Sequence, residues 1–194
     1  MTTETSLILA SSSPRRRELL QTLGLPFTVM TSDVDETTQP GMSPEAVVEE
    51  LALRKARAVA SRLDAGVVLG SDTVVVLDGR ILGKPADEPD AFRMLSALQG
   101  REHTVYSGVA LIDAATGRFE VAHSKTAVRI RPLTEREIRS YIATKEPMDK
   151  AGSYAIQGIG STLVESIEGD YFTVVGLPLC LTAGMLSRFG ITLL

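Results

Sequence analysis

Apolar positions fall into short runs and stripes rather than one long block. Leu7-Ile8-Leu9-Ala10 is an apolar run with no polar alternation, the pattern of a strand buried on both faces. Ser11-Ser12-Ser13-Pro14 stops it. Ser13 is placed to cap a helix whose first position suits Pro14, and Leu19, Leu20 and Leu23 give an apolar stripe that ends at Gly24. Phe27 to Thr31 predicts a second strand, followed by a polar, acidic stretch from Ser32 to Gly41 with no core periodicity. Ser43-Pro44-Glu45 opens a longer helix, with Val47, Val48, Leu51, Ala52, Ala56, Val59 and Leu63 recurring on one side and Lys55 close to that side.

Val67-Val68-Leu69-Gly70 and Thr73-Val74-Val75-Val76-Leu77 are β-rich runs flanking Ser71-Asp72, and Asp78-Gly79 predicts a hairpin turn before Arg80-Ile81-Leu82. Glu88 to Leu98 reads as a short amphipathic helix. Thr104 to Ile112 and Phe119 to Ile130 read as a long hairpin across Ala114-Ala115-Thr116-Gly117. Thr134 with Glu137 three residues on is a capping box for a helix reaching Ala143. Strands mixed with helices predict an α/β or α+β architecture. With no internal repeat and no separating linker, residues 1–194 are treated as a single domain, with room for an internal cleft.

The chain has 194 residues, 44% hydrophobic and 23% charged, enough for one globular domain or two closely joined lobes around a sizeable core. A net charge of -4 excludes a global positive field, so any anion site must be local. With no Trp and few aromatics to stack bases, a nucleic-acid partner is not expected. No apolar stretch approaches the roughly 18 residues of a membrane span, so no membrane partner is expected either. Met1 to Thr5 lacks the basic and apolar regions of a secretory signal, and a cytoplasmic location is the expectation. The single cysteine, Cys180, lies in Leu177-Pro178-Leu179-Cys180-Leu181 and reads as a buried thiol acting as a small hydrophobe.

Three features carry candidate chemistry. Arg15-Arg16-Arg17 occupies a first helical turn, where the macrodipole disfavours cations by roughly 0.3 to 1 kcal/mol each. A bound anion held by backbone N–H groups, the Ser11 to Ser13 hydroxyls and guanidinium forks would resolve the conflict; three solvated arginines on a surface turn would also be compatible with it. Asp72 stands among buried β runs and must be either satisfied or exposed at a strand end. Glu36, on the acidic loop, supplies a second carboxylate; two such groups converging would suit Mg²⁺, while an Asx turn at Asp72 and a solvated loop at Glu36 are the plainer alternatives.

Gly83-Lys84-Pro85 is one residue short of a Walker loop and lacks its hydroxyl, although Lys84 and Lys55 could each place a point charge on a phosphate. Gly158-Ile159-Gly160 lacks the third glycine of a dinucleotide fingerprint. His103 and His123 lie beside no serine or cysteine nucleophile pattern, and no zinc-ligand spacing exists.

Taken together, five ordered blocks resemble the Maf family of nucleotide pyrophosphatases along nearly the whole chain. They are Leu7 to Arg16, Gly70-Ser71-Asp72-Thr73, Gly83-Lys84-Pro85, Asp149 to Gly158 and Val175-Gly176-Leu177-Pro178. The resemblance implies a two-lobed, mixed-sheet α/β fold related to the inosine triphosphate pyrophosphatases, a nucleotide in the cleft between lobes, a divalent metal (Mg²⁺ or Mn²⁺) and a homodimer. Carried over by position, Asp72 is the general base and shares the metal with Glu36, while Ser11, Arg15, Arg16, Lys55 and Lys84 line the phosphates. Arg15, Thr73 and Gln157 resemble the residues associated with dTTP and UTP cleavage rather than those of the 7-methyl-GTP branch. A glutamine offers both a donor and an acceptor to a pyrimidine edge. The expected reaction is water attack on the α-phosphorus with release of pyrophosphate. The competing class is a non-catalytic nucleotide-binding regulator of cell division, which would bind in the same pocket without turnover.

Overall fold

Leu7–Leu9 forms β1, buried at all three positions. Ser13 then caps α1 (Pro14–Thr22), with Pro14 in the first turn and Leu19 and Leu20 buried. The structure, a computed structural model, describes residues 6–194, so the Met1 to Thr5 segment read for a leader lies outside the described residues. β2 (Phe27–Val29) is shorter than the expected strand to Thr31, and the stretch from 32 to 41 is irregular apart from a turn at its end. α2 (Pro44–Ala60) begins at the Ser43 cap and buries Val47, Val48, Leu51, Ala52, Ala56 and Val59 together with Lys55.

The two β runs around Ser71-Asp72 are one continuous strand, β3 (Val67–Leu77), so Asp72 is not at a strand end. Asp78 and Gly79, both at positive φ, turn the chain into β4 (Arg80–Leu82), which pairs antiparallel with β3. α3 (Glu88–Leu98) is followed by β5 (Glu102–Asp113) and β6 (Phe119–Ile130), each close to the limits expected from the sequence. α4 (Glu135–Ala143) carries the capping box, with Thr134 and Glu137 bonded reciprocally. Short 3₁₀ turns at Glu146–Asp149, Ala151–Ser153 and Gly158–Thr162 lead to β7 (Val164–Glu168), α5 (Tyr171–Val175) and α6 (Leu179–Arg188).

The described residues form a seven-stranded mixed sheet in the order β2-β1-β3-β5-β6-β7, with β4 also on β3. β1 runs parallel to both neighbours, with Leu9 opposite Val29 and Leu69. β6 and β7 are antiparallel. Strands and helices combine as the residues predict, and the mixed α/β sheet is the one the family resemblance implies.

The chain divides into two compact units. The first comprises the chain through Asp72, Ser107–Ser124 and Gly176–Leu194; the second comprises Thr73–Tyr106 and Lys125–Val175. In the first, Ala52, Ala56, Val59 and Ala60 of α2 pack on Ile8, Val68, Ala110 and Ile112 of the strands. In the second, Ala91, Leu95 and Leu98 of α3 and Ile138, Tyr141 and Ile142 of α4 pack with Val75, Val105, Val128 and Ile130.

Cys180 corrects an expectation. It is exposed in the first turn of α6, because the apolar run around it is helical and only part of a helix faces a core. Among the described residues no helix is long and apolar enough to cross a membrane.

Candidate active site

In the first unit the geometry starts with two glycines. A Cβ on Gly70 of β3 would lie 2.3 Å from the Ala52 carbonyl oxygen, and one on Gly108 of β5 would lie 2.3 Å from that of Val48. The α2 backbone therefore rests directly on the two strands, and only glycine allows it to come so close. Lys55, between those contacts and the end of α2, reaches Asp72 two residues beyond Gly70. Its Nζ lies 2.6 Å from Asp72 Oδ1 and 2.8 Å from Glu36 Oε1.

One ammonium thus gathers both carboxylates that the sequence singled out. Lys55 and Asp72 side chains are only 11% and 10% exposed, whereas Glu36 is 59% exposed, so the cluster is closed on the strand side and open on the loop side. Asp72 meets the burial requirement by pairing. The Glu36 loop is anchored by a residue that spacing did not reveal. Arg54, next to Lys55 on α2, donates to the carbonyls of Asp35 and Thr37, the latter at 2.9 Å, and to Glu50 Oε1 at 3.1 Å. An i, i+4 pairing of Glu50 and Arg54 was the only available signal in the sequence, and it is a common surface arrangement.

At the start of α1, Ser11 Oγ accepts from the Ser13 amide at 3.2 Å and Ser13 Oγ caps the Arg16 amide at 3.5 Å. Arg16 turns inward, its Nε donating to the Gly176 carbonyl at 2.8 Å. Ser71 Oγ donates to the same oxygen at 3.1 Å. Gly176 has φ 125°, which favours glycine, and its carbonyl links the Val175 to Pro178 block to both α1 and β3. Burial pushes the Arg16 guanidinium below its ordinary pKa. Asp72 and Glu36 act in the opposite direction, and Arg15 adds to the lowering. Arg16 is therefore not one of three solvated arginines. Arg15 is half-buried and Arg17 exposed.

Thr73, Lys84 and Gln157 belong to the second unit. Thr73 is the next residue along β3 and is half-buried; Lys84 is exposed on the segment after β4. The Gly83 carbonyl accepts from the Gly152 amide at 3.0 Å, joining the lysine segment to the turn that precedes Gln157. Gly152 has φ 70°, and a Cβ there would lie 2.9 Å from Val75 Cγ1. Gln157 is half-buried. The histidines are occupied elsewhere: His103 Nε2 lies 2.7 Å from the Tyr154 hydroxyl, and His123 Nδ1 lies 2.7 Å from Glu49 Oε1.

Among the described residues no group of three or more His, Cys, Asp or Glu could hold a metal alone. The donor set that does converge, Glu36 and Asp72, consists of hard carboxylate oxygens near one cationic point. That set fits Mg²⁺ or Mn²⁺, which take one or two protein carboxylates and complete their shell with water and substrate phosphate.

Fold and site together define an α/β protein with a carboxylate-ammonium-carboxylate cluster and a serine- and arginine-rich helix start in one unit. The family model described as Maf-like protein matches residues 6–189. The dTTP/UTP pyrophosphatase of Pelotomaculum thermopropionicum is 56% identical over 188 residues, covering 97% of this chain and 98% of the relative. That of Moorella thermoacetica is 56% identical over 185 residues, covering 95% of each. A solved structure of a HAM1 protein from Coxiella burnetii shares the fold, with TM-score 0.52 at 19% identity over 83% of this chain and 81% of that one. The chain belongs to the Maf family.

Proposed function

We propose that this chain is a nucleoside triphosphate pyrophosphatase that hydrolyses dTTP and UTP to the monophosphate and pyrophosphate. The observation that carries the proposal is the convergence of Glu36 and Asp72 on Lys55 Nζ, at 2.8 and 2.6 Å, with Arg16 electrostatically coupled to both carboxylates. The substrate assignment rests on relatives named dTTP/UTP pyrophosphatase that are 56% identical over nearly the full chain.

In this reading Asp72 orients or deprotonates the water that attacks the α-phosphorus, and Lys55 holds its carboxylate in place. Ser11, Arg15, Arg16, Lys55 and Lys84 bind the phosphates, the arginines through bidentate forks. Thr73 and Gln157 read the base. A divalent ion held by Glu36 and Asp72 supplies charge neutralisation for the triphosphate. Residues 1–194 act as one Maf-like domain, because the family match runs through both units. The enzyme works in the cytoplasm, where nucleotide pools reside, as a homodimer that sedimentation would detect.

The test is a panel of nucleoside triphosphates with Mg²⁺ or Mn²⁺ and product identification. Pyrophosphate released from dTTP and UTP is the expected result, with turnover of Asp72→Asn falling by about 10² to 10⁴ while nucleotide binding persists. Orthophosphate as the first product, or binding without turnover, would overturn the reaction class. Near-normal turnover in a folded, metal-loaded Asp72→Asn would remove the base assignment.

A further inference from the structure

Glu146, which none of the candidate chemistry used, holds three hydrogen bonds on one carboxylate. Its Oε1 accepts from the Tyr141 hydroxyl at 2.9 Å and from the Gly160 amide at 2.8 Å, and its Oε2 accepts from the Ile159 amide at 3.0 Å. The Tyr141 hydroxyl in turn accepts from the Ala155 amide at 3.1 Å. Residues 155 and 159–160 are the two ends of the Ile156-Gln157-Gly158 segment, so both ends hang from one hydrogen-bonded pair.

The packing is equally tight. A Cβ on Gly158, at φ 62°, would lie 2.6 Å from Glu146 Oε2, and one on Gly160 would lie 2.2 Å from the Ala155 carbonyl oxygen and 2.5 Å from the Tyr141 hydroxyl. Tyr141 is buried in the core of the second unit, so the anchor is fixed to α4 rather than to the surface. Partial burial raises the Glu146 pKa, but the Gly160 and Ile159 amides, Tyr141 and Lys150 outweigh it and leave the pKa below its ordinary value. A carboxylate accepting backbone N–H bonds is stronger than a neutral acceptor in the same place.

We infer that Glu146, with Tyr141, is the positioning device for Gln157: it sets the backbone from which that side chain reads the pyrimidine edge, and so controls base selectivity without touching substrate. The inference rests on the proposed base-reading role of Gln157. Discrimination between pyrimidines depends on where a donor and an acceptor sit, because uracil and thymine present a carbonyl where cytosine presents an amino group. A shift of the segment by a fraction of an ångström therefore alters selectivity before it alters the chemical step.

The experiment compares UTP with CTP, and dTTP with dCTP, in the full-length protein carrying Glu146→Gln, Tyr141→Phe or Gln157→Ala. Glu146→Gln places an amide donor among backbone donors, and Tyr141→Phe removes the bridge to Ala155. Each is expected to cut the kcat/KM preference for UTP over CTP by roughly tenfold, the scale of one or two lost hydrogen bonds, through KM and with kcat for UTP within about threefold of wild type. Tyr141→Phe keeps the core volume and serves if Glu146→Gln does not fold. Unchanged UTP:CTP ratios in both variants, with the ratio altered in Gln157→Ala, would overturn the positioning role alone. A proportional loss of kcat for every nucleotide would show a purely structural role and would overturn it too. An unchanged ratio in Gln157→Ala would remove the base-reading role of Gln157 and this inference with it.

Discussion

Lys55→Met tests the centre of the site through folding stability, with no nucleotide present. Methionine keeps most of the side chain's packing volume but removes the ammonium that lies 2.6 Å from Asp72 and 2.8 Å from Glu36. The two contacts are not equivalent. Lys55 and Asp72 are each about nine-tenths buried, so the substitution leaves a buried carboxylate without its ammonium partner and offset only in part by the Arg16 charge, at a cost of up to about 3 to 5 kcal/mol. Glu36 is more than half exposed, and solvent screening limits its share to about 1 kcal/mol or less. Urea unfolding in metal-free buffer should therefore give a large loss for Lys55→Met and a small one for Glu36→Gln. Lys55→Met with Asp72→Asn should recover part of the loss, because the buried carboxylate that lost its ammonium partner is then replaced by a neutral amide. Millimolar Mg²⁺ should stabilise Lys55→Met more than wild type, since an ion that binds only the folded state adds stability by mass action and the variant removes the ammonium that competes with it for the two carboxylates. If Lys55→Met unfolds at the same urea concentration as Glu36→Gln, the buried pair does not hold this part of the fold together and the reasoning fails.

Gly70→Ala should destabilise by about 1 to 3 kcal/mol and lower turnover by roughly 10², because Ala52 backbone must retreat from the new methyl and carry Lys55 with it; wild-type turnover in a folded variant would refute the link between that packing and the site. His103 is 3% exposed, and burial pushes its pKa from 6.5 down to about 4. The unfolded chain binds the proton first, so stability is kept above pH 6.5 and about 3 kcal/mol is lost as the pH falls from 6.5 to 4. Subtracting the pH-stability curve of His103→Gln isolates this contribution from that of the carboxylates, and parallel curves would count against it. Gln157→Glu and Thr73→Gln should each weaken the preference for dTTP and UTP in a nucleotide panel, and indifference of both would remove those two residues from base recognition while leaving the reaction class standing.

Much of the local architecture was legible because its causes are local. Ser13-Pro14, Ser43-Pro44, Thr134 with Glu137, and Asp78-Gly79 act on backbone groups within a turn of themselves, and the elements they start appear where the residues place them. The ends of the chain's later elements were less readable. β7 and α6 went unrecognised, the latter because Pro178 caps it without a side-chain bond and its apolar run resembles a strand. Cys180 was misplaced for the same reason, since one apolar segment does not say which of its residues face the core.

The site divides in the same way. Residue types and order alone singled out the Ser11 to Ser13 hydroxyls, the Arg15 to Arg17 run, Glu36, Lys55, Asp72 and Lys84 as candidates, and the family resemblance narrowed the first two groups to Ser11, Arg15 and Arg16, but neither could choose between a paired and an exposed Asp72, or between a bound and a solvated arginine. Those choices depend on contacts between residues far apart in the chain: α2 resting on Gly70 and Gly108, and the Gly176 carbonyl accepting from both Arg16 and Ser71. A sequence by itself specifies caps, turns and periodicities because neighbouring atoms determine them. Which buried charges meet is decided only when the sheet forms, since close approach of a helix to two strands is a property of their packing and of no single segment.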